Sequence, residues 1–215
     1  MKLFLDTANL AEIKEAMATG LISGVTTNPA LAAKEGQNFD ELLREILRIT
    51  EGPVFAEVVS LEADDMVEEG KKLAALDPRM VVKIPAIWEG FQAVAKLKAA
   101  GVKTAVTLVY SPAQALMAAV AGADYVAPFL GRANDVGIDG FESLRQIAGQ
   151  YQNADTDTKI LAASVRTAQE GWQAALYGAD ILTASLKIIK QMAHHPQTEV
   201  TLNAILNDWK KIENL

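Results

Sequence analysis

The sequence predicts an α/β fold of the (β/α)8 class, a single closed barrel of eight parallel strands with a helix after each strand. Short apolar runs alternate with longer segments that carry apolar residues at helical spacing, from one end of the chain to the other. This alternation is typical of parallel sheets. No Gly-x-Gly-x-x-Gly follows the first strand and no Walker loop occurs, which disfavours an open nucleotide-binding sheet. The length of 215 residues suits one small barrel.

The strands are predicted at residues 2–6, 24–28, 54–59, 80–85, 104–109, 125–130, 159–165 and 180–183. Helix starts are marked by capping boxes, in which a polar side chain precedes Glu or Gln by three residues. The pairs are Asn38 with Glu41, Ser111 with Gln114, and Thr167 with Glu170, and Pro112 stands at a first helical position. Local chemistry therefore supports the helices that the periodicity indicates.

The chain divides into a barrel over residues 1–192 and a helical extension over 193–215. The last helix, predicted from about residue 199 to 214, carries its apolar side chains in one stripe: Leu202, Ile205, Leu206, Trp209 and Ile212. The stripe could pack on its own barrel or dock on a neighbouring subunit. The residues alone leave both possibilities open.

Composition excludes several classes of protein. A net charge of −7 argues against nucleic-acid or anionic-membrane partners. The absence of cysteine excludes disulfides, zinc thiolate sites and thiol catalysis, and it fits a cytoplasmic protein. No apolar run has the length of a signal peptide or a membrane span. His194 and His195, the only histidines, have no third ligand nearby, so we predict no metal site.

Polar side chains stand at or just beyond the ends of seven strands, where barrels of this class place their chemistry. They are Asp6, Thr26, Thr27, Asn28, Glu57, Lys83, Thr107, Arg132, Ser164 and Arg166, with Phe129 among them. Side chains alternate along a strand, so counting back by two gives the inward layers. These are Phe4, Phe55, Val81, Ala105, Ala127 and Ala162, all apolar. The polar set is therefore predicted to converge on one pocket.

Lys83 lies within an otherwise apolar strand, Val-Val-Lys-Ile-Pro. Burial penalises a charged ammonium and so favours the neutral amine, which can attack a carbonyl and act through the iminium as an electron sink. The alternative is a buried ion pair with Glu57 that only fastens adjacent strands. Buried ionisable groups in clefts are more often functional, which favours catalysis.

Two further groups of residues fit this chemistry. Asp6 and Glu57 could divide proton-transfer roles beside the lysine, although Asp6 could instead support the start of the helix near Asn9. Arg132, Ser164 and Arg166 follow strands six and seven and could clamp a phosphate. Either arginine by itself would fit a solvated surface position, and their shared location favours the clamp.

Seven segments together resemble the small transaldolase/fructose-6-phosphate aldolase family of class I aldolases. They are Phe-Leu-Asp-Thr-Ala-Asn at 4–9, Gly-Val-Thr-Thr-Asn-Pro at 24–29, Ala-Glu-Val at 56–58, Val-Lys-Ile-Pro at 82–85, Thr107, Ala-Pro-Phe-Leu-Gly-Arg at 127–132, and Ala-Ala-Ser-Val-Arg at 162–166. They follow the family order and span essentially the whole chain.

The resemblance implies a role for each site residue. Lys83 would form a Schiff base with the ketose carbonyl, and Asp6 would take the C4 hydroxyl proton as the C3–C4 bond breaks. Glu57 and Thr107 would hold a water that shuttles protons. The substrate would contact Thr26, Asn28 and Phe129, with Asn28 on the dihydroxyacetone hydroxyls, and its phosphate would bind Arg132, Ser164 and Arg166. No cofactor or metal is implied.

Glu57 and Phe129 favour one of the two activities found in this family. Transaldolases resemble this sequence at both positions, whereas the aldolases have Gln and Tyr. The sequence therefore predicts transfer of dihydroxyacetone from fructose 6-phosphate or sedoheptulose 7-phosphate to an aldose phosphate, in the pentose phosphate pathway. The alternatives are a fructose-6-phosphate aldolase and, in another class, a non-catalytic sugar-phosphate-binding barrel.

Two further expectations follow from the resemblance. Ala105 replaces an Asn common in transaldolases, and the lost hydrogen bond could cost about 1–3 kcal/mol of donor binding. Family members also form ring-like homo-oligomers, so a pentamer or decamer is expected, with the last helix crossing to a neighbouring subunit.

Overall fold

The computed structural model describes residues 1–213 as eight parallel strands closed into a barrel in chain order. The strands are β1 (Lys2–Asp6), β2 (Val25–Thr26), β3 (Val54–Glu57), β4 (Met80–Pro85), β5 (Thr104–Val109), β6 (Tyr125–Pro128), β7 (Lys159–Ala162) and β8 (Ile181–Ala184). Each strand pairs with the next, and β8 pairs with β1 to close the ring. The predicted (β/α)8 fold is confirmed.

Helices cover the outside of the barrel and extend beyond it. They are α1 (Leu10–Met17), α2 (Pro29–Glu35), α3 (Phe39–Ile49), α4 (Ala63–Ala74), α5 (Trp88–Ala99), α6 (Pro112–Val120), α7 (Leu130–Asp135), α8 (Gly140–Ala154), α9 (Ala168–Leu176), α10 (Leu186–Met192) and α11 (Pro196–Glu213). Asn38, Ser111 and Thr167 each accept hydrogen bonds from the first backbone N–H groups of a helix, which confirms the predicted caps. None of the helices among residues 1–213 combines the length and apolarity that crossing a bilayer requires.

Apolar side chains form two layers, one between strands and helices and one inside the barrel. The inner layer consists of Phe4, Phe55, Val81, Ala105, Ala127, Leu161, Ala163 and Ile181. The prediction for Ala162 was wrong, because this residue packs on the helix side. Ser164 has a left-handed backbone with φ 59°, which interrupts the alternation from which Ala162 was inferred.

The terminal helix α11 is not covered by the barrel. Its apolar stripe is exposed, with Leu202 at 51% and Trp209 at 58% of their accessible surfaces. The helix begins at Pro196, three residues before the predicted start, and the predicted end at Asn214 lies outside the described residues. The division of the chain at residue 192 stays a prediction, as does the cytoplasmic location.

Candidate active site

The carboxyl ends of the strands surround a cavity of about 100 Å³. Its wall contains Asp6, Thr26, Asn28, Lys83, Thr107, Ala127, Phe129, Arg132, Leu161, Ala163, Ser164 and Thr183. Most of the residues singled out in the sequence are therefore brought to one place. They come from strands that are far apart in the chain and meet only because the barrel closes.

Lys83 projects from β4 into this cavity with only 6% of its surface exposed. Its Nζ donates to the carbonyl oxygen of Thr27 at 2.9 Å and lies 2.9 Å from Oε2 of Glu57. The β3–β4 register places Glu57 directly beside Lys83. The ion pair considered as the alternative to catalysis is thus present, and it also provides a carboxylate that can receive a proton from the amine.

Asp6 ends β1 and accepts a hydrogen bond from the Thr26 hydroxyl at 2.8 Å. Burial raises the pKa of Asp6, while the Thr26 hydrogen bond and the charge of Lys83 oppose that rise. Asp6 does not cap the following helix, because Asn9 accepts from the backbone N–H groups of that helix. A carboxyl with a raised pKa is suited to both accepting and returning a proton.

Thr183 is a pocket residue that the sequence reasoning missed. Its hydroxyl lies 2.7 Å from that of Thr26, and the hydrogen of Thr26 is directed to Asp6. Thr183 is therefore the donor in the pair when Asp6 is ionised. Side chains alternate along a strand, and Ile181 points into the barrel, so Thr183, two residues later, is expected to point inward as well. The sequence therefore contained the signal for this residue.

Thr107 contributes a hydroxyl that is buried in the pocket wall and has no hydrogen-bond partner among residues 1–213. The next residue, Leu108, has φ 58°, and the pairing of β5 with β6 shifts register between Val106 and Val109. This irregularity lies where β5 reaches the pocket. A buried hydroxyl without a protein partner is suited to holding a water or a substrate group.

Asn28 and Phe129 reach the pocket from the segments that follow β2 and β6. Asn28 caps α2, and its Oδ1 accepts from the Leu31 N–H at 2.9 Å. Its amide nitrogen has no partner among the residues that the structure describes, which leaves two donors for a ligand. The Phe129 ring lies 5.3 Å from the guanidinium carbon of Arg132, within the range of a cation–π contact.

The predicted phosphate clamp is only partly assembled at the pocket. Arg132 and Ser164 line the cavity, but Arg166 does not. Arg166 Nη1 lies 2.6 Å from Oδ1 of Asp135 at the surface. Gly131 permits this close approach, because a Cβ there would lie 2.3 Å from the carbonyl oxygen of Ser164 and 3.1 Å from Cδ of Arg166. Arg166 would have to exchange Asp135 for a phosphate in order to join the clamp.

The two histidines and the acidic side chains were also candidates for a metal site. Within residues 1–213, no three His, Asp or Glu side chains are grouped so that they could hold a metal ion. His194 Nε2 lies 2.8 Å from Glu199 on the exposed surface, away from the pocket. The groups that line the active-site pocket are an amine, a carboxylate, hydroxyls, an amide and a guanidinium.

The closed barrel and the polar pocket at its carboxyl end place the chain among the (β/α)8-barrel proteins. Residues 3–215 match the family model described as Transaldolase/Fructose-6-phosphate aldolase. A "Probable transaldolase" of Bacillus cereus is 51% identical over 213 residues, covering 99% of each chain. One of Moorella thermoacetica is 50% identical over 214 residues, covering 100% of each. The chain belongs to the transaldolase/fructose-6-phosphate aldolase family, a family of enzymes.

Proposed function

We propose that the protein is a transaldolase that transfers a dihydroxyacetone unit through a Schiff base on Lys83. The observation that carries the proposal is the burial of the Lys83 amine in a pocket that also contains Asp6, with Glu57 2.9 Å away. An amine with a carboxylate at hydrogen-bond distance can lose its proton inside the site. The donor is a ketose phosphate such as fructose 6-phosphate or sedoheptulose 7-phosphate.

The reaction begins when Glu57 accepts a proton from Lys83 and the free amine adds to the C2 carbonyl. Loss of water from the adduct gives the iminium, and the unpaired hydroxyl of Thr107 is available to hold that water. Asp6 then takes the proton of the C4 hydroxyl. The C3–C4 bond breaks, its electron pair neutralises the iminium as an enamine, and an aldose phosphate leaves.

Transfer is completed by the reverse sequence on a second aldose phosphate. The enamine carbon attacks the acceptor aldehyde, and Asp6 returns its proton to the new hydroxyl group. Water then hydrolyses the iminium and frees Lys83. Arg132 and Ser164, which line the cavity, would bind the phosphate of donor and acceptor, and Arg166 would join them on releasing Asp135.

Borohydride trapping tests the covalent step. Incubation with fructose 6-phosphate and borohydride should add the reduced sugar to Lys83 in the native chain and leave Lys83→Met unlabelled. Peptide mass spectrometry locates the label. If the native chain turns over substrate but borohydride never attaches the sugar to Lys83, the Schiff-base role is excluded. Lys83 would then serve only to hold β3 and β4 together through its ion pair with Glu57.

The second candidate function is fructose-6-phosphate aldolase, which the same family includes. A coupled dehydrogenase assay of glyceraldehyde 3-phosphate, with and without erythrose 4-phosphate, separates the two activities. Release that requires the acceptor supports the transaldolase, and equal release without it supports the aldolase. In Phe129→Tyr the new phenol could protonate the enamine, so acceptor-independent release should increase in this variant.

We further propose a homo-oligomer, a pentamer or decamer, in which α11 docks on a neighbouring subunit. The exposed apolar stripe of α11 supports this, because a contiguous apolar face of this kind is typical of an interface. Leu202→Glu/Trp209→Glu should lower the mass measured by light scattering. Asn203→Glu/Asn207→Glu adds the same charge to the same helix and serves as the control. A native chain that is monomeric at micromolar concentration would refute the proposal.

A further inference from the structure

A second and larger cavity lies at the opposite, amino-terminal end of the barrel. Its volume is about 630 Å³, which falls within the range of roughly 300–1,000 Å³ found for small-molecule sites. In this fold the chemistry is placed at the other end, so the active site does not account for this cavity. Its wall is formed where the strands begin, near Lys2, Pro53, Arg79, Lys103, Tyr125 and Lys159.

Lysines occupy inward-facing positions around this opening. Phe4, Ala105 and Leu161 point into the barrel, and the residues two positions before them are Lys2, Lys103 and Lys159. Alternation along a strand directs all three lysine side chains toward the barrel axis rather than toward the surrounding helices. They come from β1, β7 and the residue before β5, so the opening has cations on separate sides.

The three lysines outnumber the carboxylates in the wall of this cavity. Lys2, Lys103 and Lys159 make no ion pair with any residue in the described range 1–213. Two acids also line the cavity, Glu51 and Asp180, and the Asp180 carboxylate already accepts from the Ile160 N–H at 2.8 Å. Concentrating unpaired cations in a chain of net charge −7 creates a local positive potential that attracts anions.

Tyr125 adds a neutral donor to the wall. It packs edge-on against Phe55 with ring centroids 5.0 Å apart, and its hydroxyl has no hydrogen-bond partner among the residues that the structure describes. Burial and then the charge of Asp124 raise the pKa of Tyr125, so its hydroxyl keeps its hydrogen at neutral pH. The cavity thus combines lysine ammonium groups with an available O–H donor, and both donate to phosphate oxygens.

We propose that the amino-terminal cavity binds a small anion that carries two or more phosphate groups. Three separate lysines match several negative charges better than one, and the cavity is large enough for a diphosphorylated metabolite. This site is distinct from the active site, and its occupancy does not depend on the reaction proposed above.

Inorganic pyrophosphate is the probe, titrated calorimetrically into the full chain at low salt. The test variant is Lys2→Gln/Lys103→Gln/Lys159→Gln. The control is Lys14→Gln/Lys72→Gln/Lys187→Gln, which removes the same charge from equally exposed positions on α1, α4 and α10 that do not line the cavity. We expect the native chain and the control to bind alike and the test variant to bind about tenfold more weakly or worse, since charge-assisted hydrogen bonds are lost. Retained native circular dichroism shows that the variants fold.

Three results would overturn the proposal. Pyrophosphate binding that is equal in both triple variants would place the anion elsewhere, for example at Arg132 and Ser164. No binding by the native chain at millimolar concentration would mean that no such site exists. Binding of citrate without binding of pyrophosphate would exclude phosphate as the recognised group.

Discussion

The Thr26 hydroxyl donates its one hydrogen to Asp6 over 2.8 Å, and this bond opposes the effect of burial on the carboxyl. The Thr26→Val substitution removes this hydrogen bond and should therefore raise the pKa of Asp6 further. If Asp6 acts as the base, the acidic limb of the profile of kcat/KM against pH will move to higher pH. Thr183→Val should move it less, because the bond from Thr26 to Asp6 remains. An acidic limb that is unchanged in Thr26→Val would exclude Asp6 as the group that titrates.

The raised pKa of Asp6 also has a consequence for stability. Because the folded state holds the Asp6 proton more tightly than the unfolded state, the stability that Asp6 contributes is full below its unfolded pKa of 3.8 and is lost as pH rises through the folded value. Asp6→Asn should then be more stable than the native chain at neutral pH, with a smaller advantage in acid. Urea unfolding at pH 7 and near pH 4 measures both differences. If the difference in unfolding free energy between Asp6→Asn and the native chain is the same at both pH values, the raised pKa of Asp6 does not affect stability.

Lys83 and Glu57 form a buried pair, with 7% and 14% of their side-chain surfaces exposed. Removing one partner leaves an uncompensated buried charge, which costs about 3–5 kcal/mol, whereas replacing both can be nearly neutral. Lys83→Met should be strongly destabilised, and Lys83→Met/Glu57→Gln should recover much of the loss without recovering activity. Urea unfolding of the single and double variants measures this coupling. Additive losses would show that the two charges do not interact.

Arg79 links the segment before β4 to the end of α3. Its guanidinium donates to the carbonyl oxygens of Leu47, at 2.9 Å, and Thr50, while Oδ2 of Asp77 lies 2.8 Å from Nη2. Hydrogen bonds from Arg79 lower the pKa of Asp77 to about 2. A carboxylate with a depressed pKa contributes stability that is lost as pH falls from 3.8 toward about 2.

Asp77→Asn should therefore be modestly less stable than the native chain at pH 7, and the two chains should converge in that acid range. Denaturant unfolding at a series of pH values measures the convergence. Asp65→Asn on α4 is a control at a carboxyl with no ion pair within residues 1–213. A gap between native and Asp77→Asn that widens in acid would contradict this account.

The barrel could be predicted because three patterns indicate the same elements along the whole chain. These are the alternation of strand-like and helix-like segments, the helix-capping residues, and the apolar residues at inward-facing positions of the strands. The strands β1, β4 and β5 have their predicted bounds, since each is long enough to show its period. The phase of β7 was not predictable, because the left-handed backbone of Ser164 depends on contacts beyond the strand. One such contact is the hydrogen bond from the Gly131 N–H to the Ser164 carbonyl.

The membership of the site was predictable wherever a residue lies at or near the carboxyl end of a strand and points inward. Asp6 ends β1, and Lys83 and Thr183 lie within two residues of the ends of β4 and β8; all three line the pocket, although Thr183 was overlooked. Arg166 lies beyond the strand, in a segment whose path no alternation fixes. Its pairing with Asp135 is a long-range contact between α7 and the loop after β7, and such a contact leaves no local pattern in the sequence.

Two small residues described above leave space in the active-site cavity. Phe4 and Phe55 fill the inner layer from β1 and β3, whereas Ala127 of β6 and Ala163, just after β7, present only methyl groups to the active-site cavity, beside the larger Leu161. The short side chains of these two alanines therefore leave room beside Lys83 on one side of the barrel. Larger side chains at these two alanines would reduce the volume of this cavity without replacing any of its polar groups.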